Sequence, residues 1–161
     1  MLGLLGAMVY WSMQSWSNPQ PVRESDALDL MEFNRARLEY QEAWIDSITS
    51  AGQWEKGLGG VRYRWIERAE VRDSIATGDW VAWQVRVALA NDTVCFERPL
   101  AFKWQATDLP SGFHDLVEWT APGDSVEAWL PAHRAWGLSG YGDLVPPGAV
   151  IHLSYRFKEA P

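Results

Sequence analysis

Cysteine is nearly absent: Cys95 is the only one in 161 residues. One thiol can close no intrachain disulfide and build no cysteine-ligated zinc site. It sits between Val94 and Phe96 in an apolar run with no histidine near it in sequence, the setting of a buried, inert thiol rather than a nucleophile. Basic residues are also few, 14 Lys and Arg against 21 Asp and Glu, giving a net charge of -7. No basic run occurs anywhere, which argues against nucleic-acid or anionic-membrane binding, since phosphates need clustered cations. The acidity is read as a solubility feature. The glycines around Gly57 do not form a phosphate loop. No serine or cysteine motif accompanies His114-Asp115 or His133, so these read as surface histidines. Asp124 and Asp143 fall in turns that need no metal, and no cofactor is implied. The 11 tryptophans follow no period, which argues against a repeat protein.

What is present is an ordinary globular composition, 47% hydrophobic, in a length suited to one domain. Met1 to Met13 is uncharged and mostly apolar but shorter than the roughly 20 residues of a spanning helix. It resembles the apolar region of a secretory signal without the positive leader. Leu5-Gly6-Ala7 resembles a lipoprotein processing site, with Met8 where the lipid-bearing cysteine would stand. Three readings stand: a trimmed or mis-started export signal, a short membrane anchor, or an arm that packs on a partner. Export or envelope association is favoured.

Asn18 to Arg23 is a linker by its prolines. Ser25 or Asp26 then caps a helix running to about Ser50, with Asp26, Asp29 and Glu32 favourable to its dipole. Leu28, Met31, Leu38, Ile45 and Ile48 fall on one stripe, expected to pack on the chain's own domain. After the glycines at 57, 59 and 60, alternation predicts strands over Val61–Glu67, Trp80–Leu89, Thr93–Phe96, Leu100–Trp104, Ser125–Leu130 and Val150–Phe157. Asn91-Asp92 and Pro122-Gly123-Asp124 are turns, and Ser111–Trp119, behind Pro110, is a short helix. The expected class is α+β: residues 1–24 leader, anchor or arm plus linker; 25–59 helix and connector; 60–161 the domain proper.

The C-terminal half carries a specific pattern. Pro122-Gly123-Asp124-Ser125-Val126 leads into a strand ending Leu130-Pro131. Ala135-Trp136-Gly137, Gly140-Tyr141-Gly142 and Val145-Pro146-Pro147 follow, before a last apolar strand. Upstream lie Gly78-Asp79, Phe96-Glu97 and Leu109-Pro110-Ser111-Gly112-Phe113. Over roughly Gly60 to Phe157 this resembles the FKBP family of peptidyl-prolyl cis-trans isomerases. The leader, helix and domain in sequence resemble the envelope FKBP-type lipoproteins of gliding Bacteroidota.

The resemblance implies a twisted antiparallel sheet around one short helix, here Ser111–Trp119, with an extra N-terminal helix. It implies rotamase activity on proline-containing polypeptides, in the cell envelope, assisting the folding of exported proteins. The alternative is a non-catalytic FKBP-like subunit of an envelope secretion or motility complex. By family position, Phe113 is the pocket floor (Trp in the family) and Leu109 and Pro110 stand for a Val-Ile pair. Phe96 matches the family Phe, and Glu97 the family Asp that orients the substrate. Trp136 replaces a Tyr, Val145 an Ile and Leu153 a Phe, and Val85 falls where Tyr is common. Tyr141 lies in the loop over the pocket. Glu97 and Trp136 are the expected catalytic pair. Pro110 removes a backbone N–H that the family uses to hold substrate.

Overall fold

Alternation of apolar and polar residues from residue 80 onward dictates a sheet with one buried face, and the computed structural model shows one. It describes residues 24–70, 75–105 and 109–158; the leader expected over residues 1–16 lies outside them. The chain divides into two compact units, Met1–Arg35 and Ala36–Pro161.

Helix α1 (Glu24–Ile48) opens the described chain. In the first unit its Leu28, Leu30, Met31 and Phe33 are exposed. In the second unit the buried positions are Gln41, Ile45 and Thr49. The expected stripe is thereby corrected: Ile45 is buried, whereas Leu28, Met31 and Ile48 face solvent. The helix seats through one i, i+4, i+8 row. Trp44 meets the edge of Trp129 at 5.4 Å, and Asp46 pairs with Arg62. No helix of the described residues is long and apolar enough to cross a membrane.

Six strands follow: β1 (Glu55–Lys56), β2 (Arg62–Glu67), β3 (Trp80–Leu89), β4 (Val94–Lys103), β5 (Ser125–Leu130) and β6 (Ile151–Lys158). They form one antiparallel sheet ordered β1-β2-β5-β6-β3-β4. Helix α2 (Ser111–Trp119) lies between β4 and β5 in the chain. The two short strands expected over 93–104 are one continuous β4 that passes through Pro99. Proline is tolerated there because β4 is the sheet edge, where the missing N–H deprives no neighbour. Cys95 is the extra residue of a bulge, since Val94 opposes Ala88 while Phe96 opposes Val87. The thiol is half-buried rather than buried. Desolvation pushes its pKa up, which keeps it in the unreactive thiol form.

One core follows from this alternation. Val81, Trp83, Val85 and Val87 of β3, Val126, Ala128 and Leu130 of β5, and Ile151, Leu153, Tyr155 and Phe157 of β6 are buried with Phe113, Leu116 and Val117 of α2. Trp83 is its centre, stacked on Tyr155 at 4.0 Å and flanked by Phe102 at 5.1 Å and Phe113 at 5.8 Å. Gly112 lets α2 approach, because a Cβ there would lie 2.5 Å from Leu130 and 2.6 Å from the Arg134 carbonyl. Asp124 is fully buried and structural: it accepts hydrogen bonds from the Ala69 N–H (2.7 Å), the Ala121 N–H (2.9 Å) and the Trp65 indole (3.2 Å).

Replacing Asp124 with Ala strips one buried and two part-buried donors of their acceptor and should lower unfolding free energy by about 3 kcal/mol in urea titrations. Burial also pushes the Tyr155 phenol far above its ordinary pKa, partly offset by its 3.0 Å hydrogen bond with Thr120. A raised folded pKa makes that stabilisation complete below the unfolded value, about 10, and erodes it above, where only the unfolded phenol ionises. Wild-type stability should therefore fall relative to Tyr155→Phe as pH rises through about 10.

Candidate functional site

The segment from Pro131 to Ala149 is held by its own backbone. The N–H of Gly137 bonds the Ala132 carbonyl (2.8 Å), and that of Gly148 bonds the Gly137 carbonyl (2.8 Å). Tyr141 and Val145 exchange N–H···O bonds of 2.9 and 3.3 Å around a tight turn. Gly140 is required here: its φ is +68°, and a Cβ would stand 2.3 Å from the Val145 carbonyl oxygen.

One side chain of α1 ties both ends of this segment. Gln41 donates through Nε2 to the Gly148 carbonyl (2.9 Å) and accepts through Oε1 from the Ala132 N–H (3.0 Å). Arg134 pairs with Asp115 of α2, fixing the segment to the central helix.

This scaffold gathers four aromatic rings from three parts of the chain. Phe113 of α2 meets Trp136 edge-on at 5.3 Å, and Trp136 stacks on Tyr141 at 5.3 Å. Phe96 of β4 presents its ring to Trp136 at 6.0 Å and to Tyr141 at 6.2 Å. Phe113 is fully buried, Phe96 and Trp136 are half-buried, and Tyr141 is 40% exposed. Phe113 is thus the innermost ring, and the three rings around it are partly open to solvent. Val85, Val145 and Leu153 are buried, Pro110 is buried at the start of α2 with no N–H to offer, and Leu109 is half-buried.

Glu97 is not brought to these rings, and its expected orienting role is corrected. In a strand, neighbours point to opposite faces, so Phe96 on the inner face puts Glu97 on the outer one. There it is exposed, opposite Arg86, in a shallow concavity shared with Gln84, Ser154 and Arg156. The same alternation returns Arg98 to the face of Phe96. Its guanidinium lies 4.9 Å over the Phe96 ring and donates through Nη2 to the Tyr141 hydroxyl at 3.3 Å. Among the described residues, the charged group brought to these rings is therefore Arg98. Sequence reasoning missed it, although two-residue periodicity from Phe96 pointed to it. Gln41 was also missed, and no local pattern marks it.

A separate, mostly apolar groove of about 470 Å3 is lined by Arg37, Tyr40, Gln41, Trp44, Ala90, Asn91 and Val150. It shares no residue with the four-ring cluster. Among the described residues, no group of His, Cys, Asp and Glu is arranged to hold a metal ion.

No protein-family model and no curated protein matches the sequence. Among solved structures, this chain is similar to a peptidyl-prolyl cis-trans isomerase from Pseudomonas syringae pv. tomato, with a TM-score of 0.66 over 77% of this chain and 92% of that one. The two share 16% of their residues, so the likeness is one of fold. The architecture is the FKBP-like α+β fold with an additional N-terminal helix.

The turn over the rings gives a direct check. Gly140→Ala forces a side chain into the Val145 carbonyl at positive φ and should cost about 1–3 kcal/mol. Near-UV circular dichroism should report loss of the Trp136–Tyr141 stack. Gly142→Ala, at φ +51° with open space around it, should leave that signal in place.

Proposed function

We propose that this chain receives the proline of Xaa-Pro segments in the hollow formed by Phe96, Phe113, Trp136 and Tyr141, and speeds their cis-trans rotation. The observation that carries this reading is the half-open aromatic ring set above the buried Phe113, on a fold shared with a peptidyl-prolyl isomerase.

The chemistry asks little of the protein. Rotation about an Xaa-Pro bond faces a barrier of about 20 kcal/mol and breaks no bond. The planar amide is polar through resonance, and the twisted transition state has lost that conjugation. An apolar wall therefore favours the twisted form over the planar one, and each 1.4 kcal/mol of difference is about tenfold in rate. Trp136 supplies the largest face. Tyr141 places a hydroxyl at the same rim, where Trp136 itself has only an indole N–H donor. The substrates are proline-containing segments of exported polypeptides, and the apolar run Met1–Met13 supports action in the cell envelope, with the N-terminus as membrane attachment.

A second reading has its own support. Pro110 offers no N–H at the head of α2, and Glu97 faces away from the rings, so two polar contacts available to an isomerase of this family are missing. On this reading the domain binds a proline segment of a partner in an envelope secretion or motility complex without turning it over. The arrangement of leader, helix and domain, like that of the gliding-type proteins of Bacteroidota, supports either reading.

Relaxation of a Leu-Pro peptide from cis to trans separates the two. The isomerase reading expects acceleration over buffer that Trp136→Ala lowers at least about tenfold and Glu97→Gln leaves unchanged. A rate equal to buffer, with stoichiometric copurification of a partner, selects the second reading. Activity that survives Trp136→Ala removes the hollow as its site.

A further inference from the structure

Among the described residues, Arg98 is the cation held against the four rings. Arg98 is exposed, its guanidinium covers the face of Phe96 at 4.9 Å, and Nη2 donates to Tyr141 Oη at 3.3 Å. None of the described carboxylates is paired with it. Glu97, the nearest in sequence, is on the other face of the strand, and Asp115 is taken by Arg134. Of the guanidinium's five N–H donors, one is used by Tyr141, leaving an unused donor edge at the rim.

From this we infer that Arg98 selects among proline segments, favouring those with an acidic side chain within two residues of the proline; the inference rests on the hollow being the proline site. Three physical points support it. Arginine's planar fork matches a carboxylate in a bidentate manner, which lysine does not. The fork is already held by the Phe96 face and the Tyr141 hydroxyl, so less rotamer freedom is lost when a carboxylate docks. Reach is adequate: Arg98 lies 4.9 Å from the Phe96 ring, and two residues of extended ligand span about 6.6–7.2 Å.

The rest of the molecule works against this preference, which makes it diagnostic. The chain carries a net charge of -7, so its overall field disfavours acidic ligands. At physiological salt that field is screened beyond about 8 Å, whereas a direct guanidinium–carboxylate contact persists. A preference for acidic peptides has its source at Arg98.

The experiment uses the full chain and peptides of fixed Leu-Pro core, with Glu, Gln or Lys placed in turn two residues before, one after or two after the proline. Binding is read by tryptophan fluorescence and turnover by exchange NMR. At one position the Glu peptide should bind about three- to fivefold tighter than the Lys peptide. Arg98→Gln should level the two, and Arg98→Glu should reverse their order. Equal binding of Glu and Lys peptides at every position, with the Gln peptide still bound, overturns the selection and leaves the proline site standing. A preference for Glu that survives Arg98→Glu overturns the assignment to Arg98. If the Gln peptide does not bind at all, the selection and the proline site fall together.

Discussion

The contact on which the structure turns is the burial of Phe113 between two tryptophans. On one side its ring lies 5.8 Å from Trp83, the centre of the core; on the other it meets Trp136 at 5.3 Å, at the edge of the hollow. One side chain thus belongs to the hydrophobic core and to the candidate site at once. Its fixed position depends on Gly112, whose missing Cβ lets α2 reach Leu130 and the Arg134 carbonyl. A core packed this closely deforms little, so the rings above it are held in place by the same packing that stabilises the fold.

The remaining constraint on the hollow is the segment that carries Trp136, Tyr141 and Val145. Irregular segments of this length hold one conformation only where their backbone groups find partners. Here the turn at 140–145 satisfies its own, while Gln41 satisfies two more across 91 and 107 residues of sequence. The second half of α1 therefore shapes the site without touching its rings. An additional N-terminal helix is thus tied to the hollow by two hydrogen bonds from one amide.

Polar groups around the hollow are arranged by strand geometry more than by composition. Glu97 and Arg98 are adjacent and oppositely charged, and pleating sends one to each face of β4. The site gains a cation where a carboxylate was expected, and the outer face gains the carboxylate. Pro99 follows at the sheet edge, where it costs no inter-strand bond and leaves the edge with one donor fewer for unwanted pairing.

Most of the secondary structure was legible before any coordinates. Strands β3 and β5 and helix α2 fall within the bounds that alternation, prolines and helix-start residues predict, because these signals are local and act within a few residues. The turn glycines were legible for the same reason: positive φ is a property of one residue. The unity of β4 was not, since Pro99 reads as a break unless the strand is known to be an edge. Nor was the buried row of α1: Leu28, Met31 and Ile48 carry the right spacing yet remain exposed, because spacing defines a stripe and only a partner surface makes it buried. The amino-acid order by itself determined the elements and the residues able to make a greasy hollow, through rules of short range. Strand alternation already set Arg98 on the face of Phe96 and Glu97 on the other; tertiary structure alone decided that Tyr141 meets Arg98 and that Gln41 clamps the segment carrying Trp136, because what lies 43 or about 100 residues away is settled by packing.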